Sequence, residues 1–165
     1  MGLPTLSKWS GLDEDEWERE LECCYPRVLR GLLAVAGSRE RAEDAIQEAV
    51  LAALQQGVGD VRRLDAWLYV VGVRALRRSA WKQRLLAPLR LATGTMPSPG
   101  LERLIVLDLL RILTSRQREF VVARYYLGLS YQEIAAHFGV SLGTATSTVT
   151  QALAKLRRSP PDSDT

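Results

Sequence analysis

Residues Leu129 to Val149 read LSYQEIAAHFGVSLGTATSTV, and the fold of the C-terminal half turns on them. Ser130 stands three places before Glu133, the capping-box spacing in which a hydroxyl and a carboxylate each satisfy the other residue's backbone N–H. Ile134, Ala135 and Phe138 follow at helical spacing and predict an apolar face. Gly139 then permits a sharp turn, Val140 fills the space between two helices, and Ser141 is placed to cap the next. In that next helix Ala145, Val149, Ala152 and Leu156 fall on one side, with Thr146, Ser147, Thr148, Thr150 and Gln151 on the other. The pattern predicts a helix-turn-helix. Its second helix is an unusual candidate for reading DNA, because its first positive charge is Lys155.

Outward from this motif the chain stays helical. Trp17, Leu21, Cys24, Val28, Leu32 and Val35 recur at spacings of three and four, which predicts one helix from Asp13 to Ala36. Gly37 and Ser38 stop it and start another over Arg39–Gln56, which Gly57 and Gly59 end. A third runs from about Leu64 to Leu86. The segment APLRLATGTMPSPG, from Ala87 to Gly100, is rich in proline and glycine and reads as a linker. Helices over Leu101–Leu113 and Ser115–Tyr126, the latter stopped by Gly128, then lead into the motif. No alternating β-branched pattern competes. The expectation is an all-α protein of two small helical domains, at 13–86 and 100–158, joined by a flexible linker at 87–99 and followed by a disordered tail at 159–165.

Composition narrows the function. With 47% hydrophobic and 25% charged residues, the 165-residue chain has the make-up of a globular protein. No apolar run approaches the roughly 20 residues that span a bilayer. The N-terminus turns acidic at once, so no secretory signal or membrane insertion is expected, and the default address is cytoplasmic. The two cysteines, Cys23 and Cys24, are neighbours, which suits neither a disulfide nor a metal site, and they read as small apolar residues on a helix. His137 is the single histidine and has no ligating companions. There is no phosphate-cradling glycine loop and no nucleophile–histidine constellation, so no enzymatic activity, metal or cofactor is expected.

Charge is distributed unevenly along the chain. Seven acids and one base lie between Asp13 and Glu22, whereas Arg74, Arg77, Arg78, Lys82 and Arg84 form a basic run free of acids. Interleaved with that run, Trp81 is the better candidate for an exposed aromatic, and Trp67 for a buried one. Basic side chains draw phosphates, and an aromatic face stacks an unpaired base for about 1–3 kcal/mol. The helix SRERAEDAIQEAVLAAL carries two stripes. Ala42, Ala45, Ile46, Ala49 and Ala53 make a core face, and Asp44, Gln47, Glu48 and Leu51, at i, i+3, i+4 and i+7, make a second. The second stripe suits either docking of a basic partner helix or plain solvation.

Taken in order, YPRVLRGLLAVAGSRERAEDAIQEAVLAAL, LDAWLYVVGVRAL and LTSRQREFVVARYYLGLSYQEIAAHFGVSLGT resemble bacterial RNA polymerase sigma factors of the sigma-70 family, extracytoplasmic-function type. The resemblance covers about Trp17 to Arg158. It implies that Asp44, Gln47, Glu48 and Leu51 bind core polymerase at the clamp helices of its largest subunit. It implies that Arg74, Arg77, Arg78, Trp81 and Lys82 hold the melted promoter strand. The helix-turn-helix would read upstream promoter DNA through Thr144, Thr146, Ser147, Thr148 and Gln151, with Arg116, Arg118 and Arg124 on phosphates. The flap of the second-largest subunit and an anti-sigma factor are further implied partners.

The departures from the family pattern fall on the surfaces that would meet DNA. Val73, Arg74 and Arg78 occupy places where an arginine–asparagine pair and a later aspartate are usual. Thr146 and Thr148 stand where lysine and arginine are expected, and Gln151 replaces another base. These changes predict a weaker, less guanine-directed upstream contact. Two other readings stay open: a helix-turn-helix regulator of response-regulator type, and a degenerate sigma-like adaptor that binds polymerase without selecting promoters.

Overall fold

The computed structural model describes residues 14–56, 61–86 and 108–158, and every regular element among them is helical. These residues fall into two compact units, an N-terminal and a C-terminal one. The expected linker at 87–99, the stretch 100–107 and the tail at 159–165 lie outside the described residues, as do Asp13, Gly57 and Gly59.

In the N-terminal unit α1 (Glu14–Ala36), α2 (Arg39–Gln56) and α3 (Leu64–Leu86) each pack against the other two. α1 continues through Pro26, although an interior proline removes a helical hydrogen bond and costs about 3 kcal/mol. Its ring lies on the exposed side, and Val28, Leu32 and Val35 bury the stripe beyond it. Gly37 ends α1 at φ 66°, a left-handed conformation that glycine adopts without a side-chain clash. The buried residues of α2 are Ala42, Ala45, Ile46, Ala49 and Ala53, the expected set, and the small size of the four alanines lets α2 lie close to its neighbours. Bulk comes from α3, whose Leu68, Tyr69 and Val73 are fully buried. Where α1 meets α3, a Cβ added to Gly72 would stand 2.7 Å from Leu32 Cδ1, so a side chain there would force the buried Leu32 to shift.

Of the expected helix Leu101–Leu113 in the C-terminal unit, residues 101–107 lie outside the described residues and 108–111 are helical. Thr114 then caps α4 (Ser115–Val121) in a capping box with Gln117, which the sequence reading had not singled out. The expected single helix Ser115–Tyr126 changes character midway: from Val122 to Tyr126 it is a π-turn, and Leu127 N–H reaches Val122 O at 3.1 Å. Gly128, at φ 72°, follows. α5 (Tyr131–Phe138) carries the expected capping box, with Ser130 Oγ accepting from Glu133 N at 3.1 Å and Glu133 Oε2 accepting from Ser130 N at 2.7 Å. Gly139 turns the chain at φ 65°, and Ser141 Oγ accepts from Thr144 N at 3.0 Å to cap α6 (Leu142–Arg158). Phe120, Leu127, Leu129 and Ile134 are buried together with Ala145, Val149 and Ala152 of α6, while Leu156 is only half-buried. The Phe120 and Phe138 rings meet at 4.8 Å between centroids. Small residues on the inner side of α6 let α4 and α5 pack on it and leave its outer side to solvent.

Candidate docking and nucleic-acid interfaces

The outer stripe of α2 is open to solvent. Asp44, Gln47, Glu48 and Leu51 are all exposed, Leu51 at 55%. Leu54, one turn on and 61% exposed, extends the apolar end of the stripe. Its spacing from Leu51 could have revealed it in the sequence. Exposed leucines beside carboxylates form an amphipathic surface, which suits a partner helix that offers cations and apolar side chains together.

Glu48 also has a partner within the chain, because Arg78 of α3 pairs with its carboxylate. Both side chains remain more than half exposed. The pair bridges a groove of about 260 Å³ between α2 and α3, lined by Arg41, Asp44, Glu48, Arg78, Ser79 and Lys82. Arg41 donates from Nη1 to Ala36 O at 3.2 Å, while its buried Nε has no hydrogen-bond partner among the described residues.

The basic face of α3 adjoins this groove. Arg74, Arg77, Arg78, Trp81 and Lys82 are exposed, and the last four line one shallow, open surface. Trp81 shows 66% of its surface, and Leu85, a turn further, 60%. A flat aromatic ring among cations at this exposure provides a stacking platform beside phosphate-binding groups. Trp67, expected in the core, is half-buried.

On the C-terminal unit, Thr144, Thr146, Ser147, Thr150 and Gln151 project from the outer side of α6, and Thr148 is half-buried at its margin. The three arginines singled out beside this helix divide. Arg118 donates to Leu110 O at 2.9 Å and to Leu113 O at 3.3 Å, and burial lowers its pKa from the ordinary value. Arg124 donates to Leu129 O at 3.1 Å and lies 4.9 Å from the Tyr131 ring, holding the turn between α4 and α5. Arg116 is exposed, with its guanidinium 5.4 Å from the Phe120 ring centroid. Arg118 and Arg124 thus tie the backbone together, and the surface cation of the trio is Arg116.

Tyr125 and Tyr126, at the end of the π-turn, are exposed, and no helical periodicity marks them in advance. Among the described residues no cluster of histidine, cysteine or carboxylate side chains is arranged to hold a metal. No described helix is long and apolar enough to cross a membrane. Burial, with the Asp65 charge nearby, pushes the Cys24 thiol up to about 12.

Two family models match the chain in sequence order: sigma-70 region 2 over residues 21–85 and sigma-70 region 4 over residues 103–156. The RNA polymerase sigma-E factor of Streptomyces avermitilis is 30% identical over 152 residues, covering 86% of this chain and 83% of the relative. The ECF RNA polymerase sigma factor SigL of Mycobacterium tuberculosis is 31% identical over 146 residues, covering 79% and 80%. Among solved structures, the sigma factor RpoE of Bartonella quintana, in complex with the anti-sigma factor NepR, superposes with a TM-score of 0.72 at 22% identity. That superposition covers 87% of this chain and 96% of the other. CnrH, in complex with the cytosolic domain of CnrY, gives 0.67 at 23% identity, covering 90% and 89%.

Proposed function

This chain belongs to the sigma-70 family, and on that footing we propose how its surfaces divide the work of a transcription initiation factor. It is a sigma factor of the extracytoplasmic-function type: it binds core RNA polymerase and directs initiation at promoters with a downstream and an upstream element. What carries this conclusion is the presence of both sigma-70 regions, in family order, on one chain. A helix-turn-helix regulator of response-regulator type would leave the α2 stripe without a use, so that alternative is not favoured.

The residue assignments extend this reading. Asp44, Gln47, Glu48 and Leu51 dock on the clamp helices of the largest polymerase subunit, where basic and apolar side chains answer the exposed stripe. Arg74, Arg77, Arg78 and Lys82 hold phosphates of the melted strand, and Trp81 stacks one of its bases. α6 lies in the major groove of the upstream element, and the flap of the second-largest subunit supports the C-terminal unit. The factor works in the cytoplasm, performs no chemistry of its own, and is restrained by an anti-sigma factor. Both superposed structures hold relatives bound to a second protein, one of them named as an anti-sigma factor, which supports that last assignment.

The decisive experiment mixes the purified protein with sigma-free core polymerase and fragmented genomic DNA from its own source, and maps transcript starts. Starts clustered downstream of a shared two-part motif are expected. A protein that binds core yet yields no specific starts would instead be an adaptor.

A further inference from the structure

We infer that the outer face of α6 selects A·T base pairs in the upstream element and lacks the two-donor grip that selects guanine, an inference that rests on the placement of this helix in the major groove. Thr146 Oγ1 lies 2.9 Å from Leu142 O, and Ser147 Oγ lies 3.2 Å from Thr144 O. A carbonyl oxygen only accepts, so in both pairs the hydroxyl hydrogen is directed back into the helix. What these two residues offer outward is lone pairs and, at Thr146, a methyl group. Ser141 Oγ and Thr144 Oγ1 share one hydrogen at 2.8 Å, and Ser141 Oγ also accepts from Thr144 N. That further reduces the donors available at the start of the helix.

Guanine presents two acceptors to the major groove, N7 and O6. Lone pairs turned toward them gain nothing and lose their water. The side chains that grip guanine with two donors are arginine and lysine, and α6 carries none before Lys155 in its last turn. A·T pairs offer this face three kinds of contact, at one position or another along the helix. Adenine N6–H donates to a hydroxyl lone pair, the thymine methyl packs on the Thr146 methyl, and the exposed Gln151 amide spans adenine N6 and N7 with one acceptor and one donor. A G·C pair offers it the cytosine N4 donor and, for guanine, only single-donor contacts such as one Gln151 N–H, in place of the paired donors of arginine or lysine. The substituted positions therefore define a different base preference, and the face is not merely a weakened form of a basic one.

The test uses holoenzyme assembled from the full chain and core polymerase. A promoter library keeps the downstream element found by mapping starts and randomises the upstream one, and bound DNA is sequenced at fixed salt. Wild-type holoenzyme is expected to enrich A·T pairs over the positions facing α6. Gln151→Ala should lower the preference for adenine at one position by about 5- to 150-fold, the span that a bidentate base contact supplies. Thr146→Ser removes the methyl and keeps the oxygen, and Thr146→Val does the reverse. The first should lose preference for thymine and the second should keep it. Thr146→Arg supplies the missing donors and should create a guanine preference. A wild-type requirement for guanine, or the absence of any upstream preference, would overturn the inference while leaving the sigma-factor reading intact. Absence of specific starts on every template would overturn that reading and this inference with it.

Discussion

Glu48 has two possible employments, and a charge swap separates them. Inside the chain it pairs with Arg78, and toward solvent it belongs to the stripe assigned to polymerase docking. Side chains of the pair are 53% and 56% exposed, so the attraction is screened and contributes about 0.2–1 kcal/mol to folding. Glu48→Arg removes that and sets like charges against each other. In a helical unit of this size, 1 kcal/mol moves Tm by about 4–8 °C, and lost attraction plus a repulsion of similar size should cost the single variant no more than about 2 kcal/mol, or about twice that shift. Adding Arg78→Glu restores opposite charges across the same groove and should recover the lost degrees. Core binding should respond differently. Removing one partner of a buried interfacial charge pair costs about 2–5 kcal/mol, a Kd about 30- to 4,000-fold weaker, and reversal at least as much. The swap does not return that loss, since polymerase still meets an arginine at position 48. Thermal unfolding and fluorescence titration with core polymerase give the two readouts. If the swapped variant regained both stability and binding, Glu48 would be an internal partner only, and the docking assignment would fall.

Three further outcomes follow from particular contacts. Gly72→Ala gains up to about 1 kcal/mol of helix propensity but forces a methyl against the buried Leu32, at a cost of about 1–3 kcal/mol, so the urea midpoint should fall. A midpoint that rose would show that α1 and α3 do not meet as described. Trp81→Ala should weaken binding of holoenzyme to a pre-melted promoter by about 5- to 150-fold, the loss of one base stack, while core binding persists. Equal affinity for melted DNA would remove Trp81 from that interface. With the Cys24 thiol pushed up to about 12, a maleimide at pH 8 should label the exposed Cys23 quickly and the half-buried Cys24 far more slowly. The sign for stability follows: the folded chain keeps the Cys24 proton that the unfolded chain releases near 9, so its contribution is held below pH 9 and lost as pH rises toward 12. Equal labelling of both thiols in the folded protein would refute the raised pKa and partial burial of Cys24.

The parts of this protein that were legible in its sequence are those set by interactions between residues a few places apart. Ser130 with Glu133, Gly139 at its turn, Ser141 before α6 and the alanine stripe of α2 all act within one helical turn or one cap, and all stand where the spacing put them. Some of what escaped was equally local, the Thr114–Gln117 capping box and Leu54 one turn after Leu51, and the rest depends on how the chain meets itself after folding. Nothing near Arg78 in sequence announces Glu48, thirty residues away, and the pairing exists because α3 lies alongside α2. Arg118 and Arg124 look like phosphate ligands when read as charges beside a DNA-facing helix. Their carbonyl partners, Leu110 and Leu113 for one and Leu129 for the other, become visible only when the chain has turned back on itself. The π-turn was hidden for a related reason, since Val122 to Tyr126 has ordinary helical composition and only the Leu127–Val122 hydrogen bond reveals the wider turn. The same division applies to the candidate DNA surface. The sequence identified which hydroxyls face outward, but the direction of their hydrogens depends on backbone carbonyls that a formed helix puts within reach. Base preference on this face is therefore a property of the folded helix, and a count of its missing arginines and lysines describes only half of it.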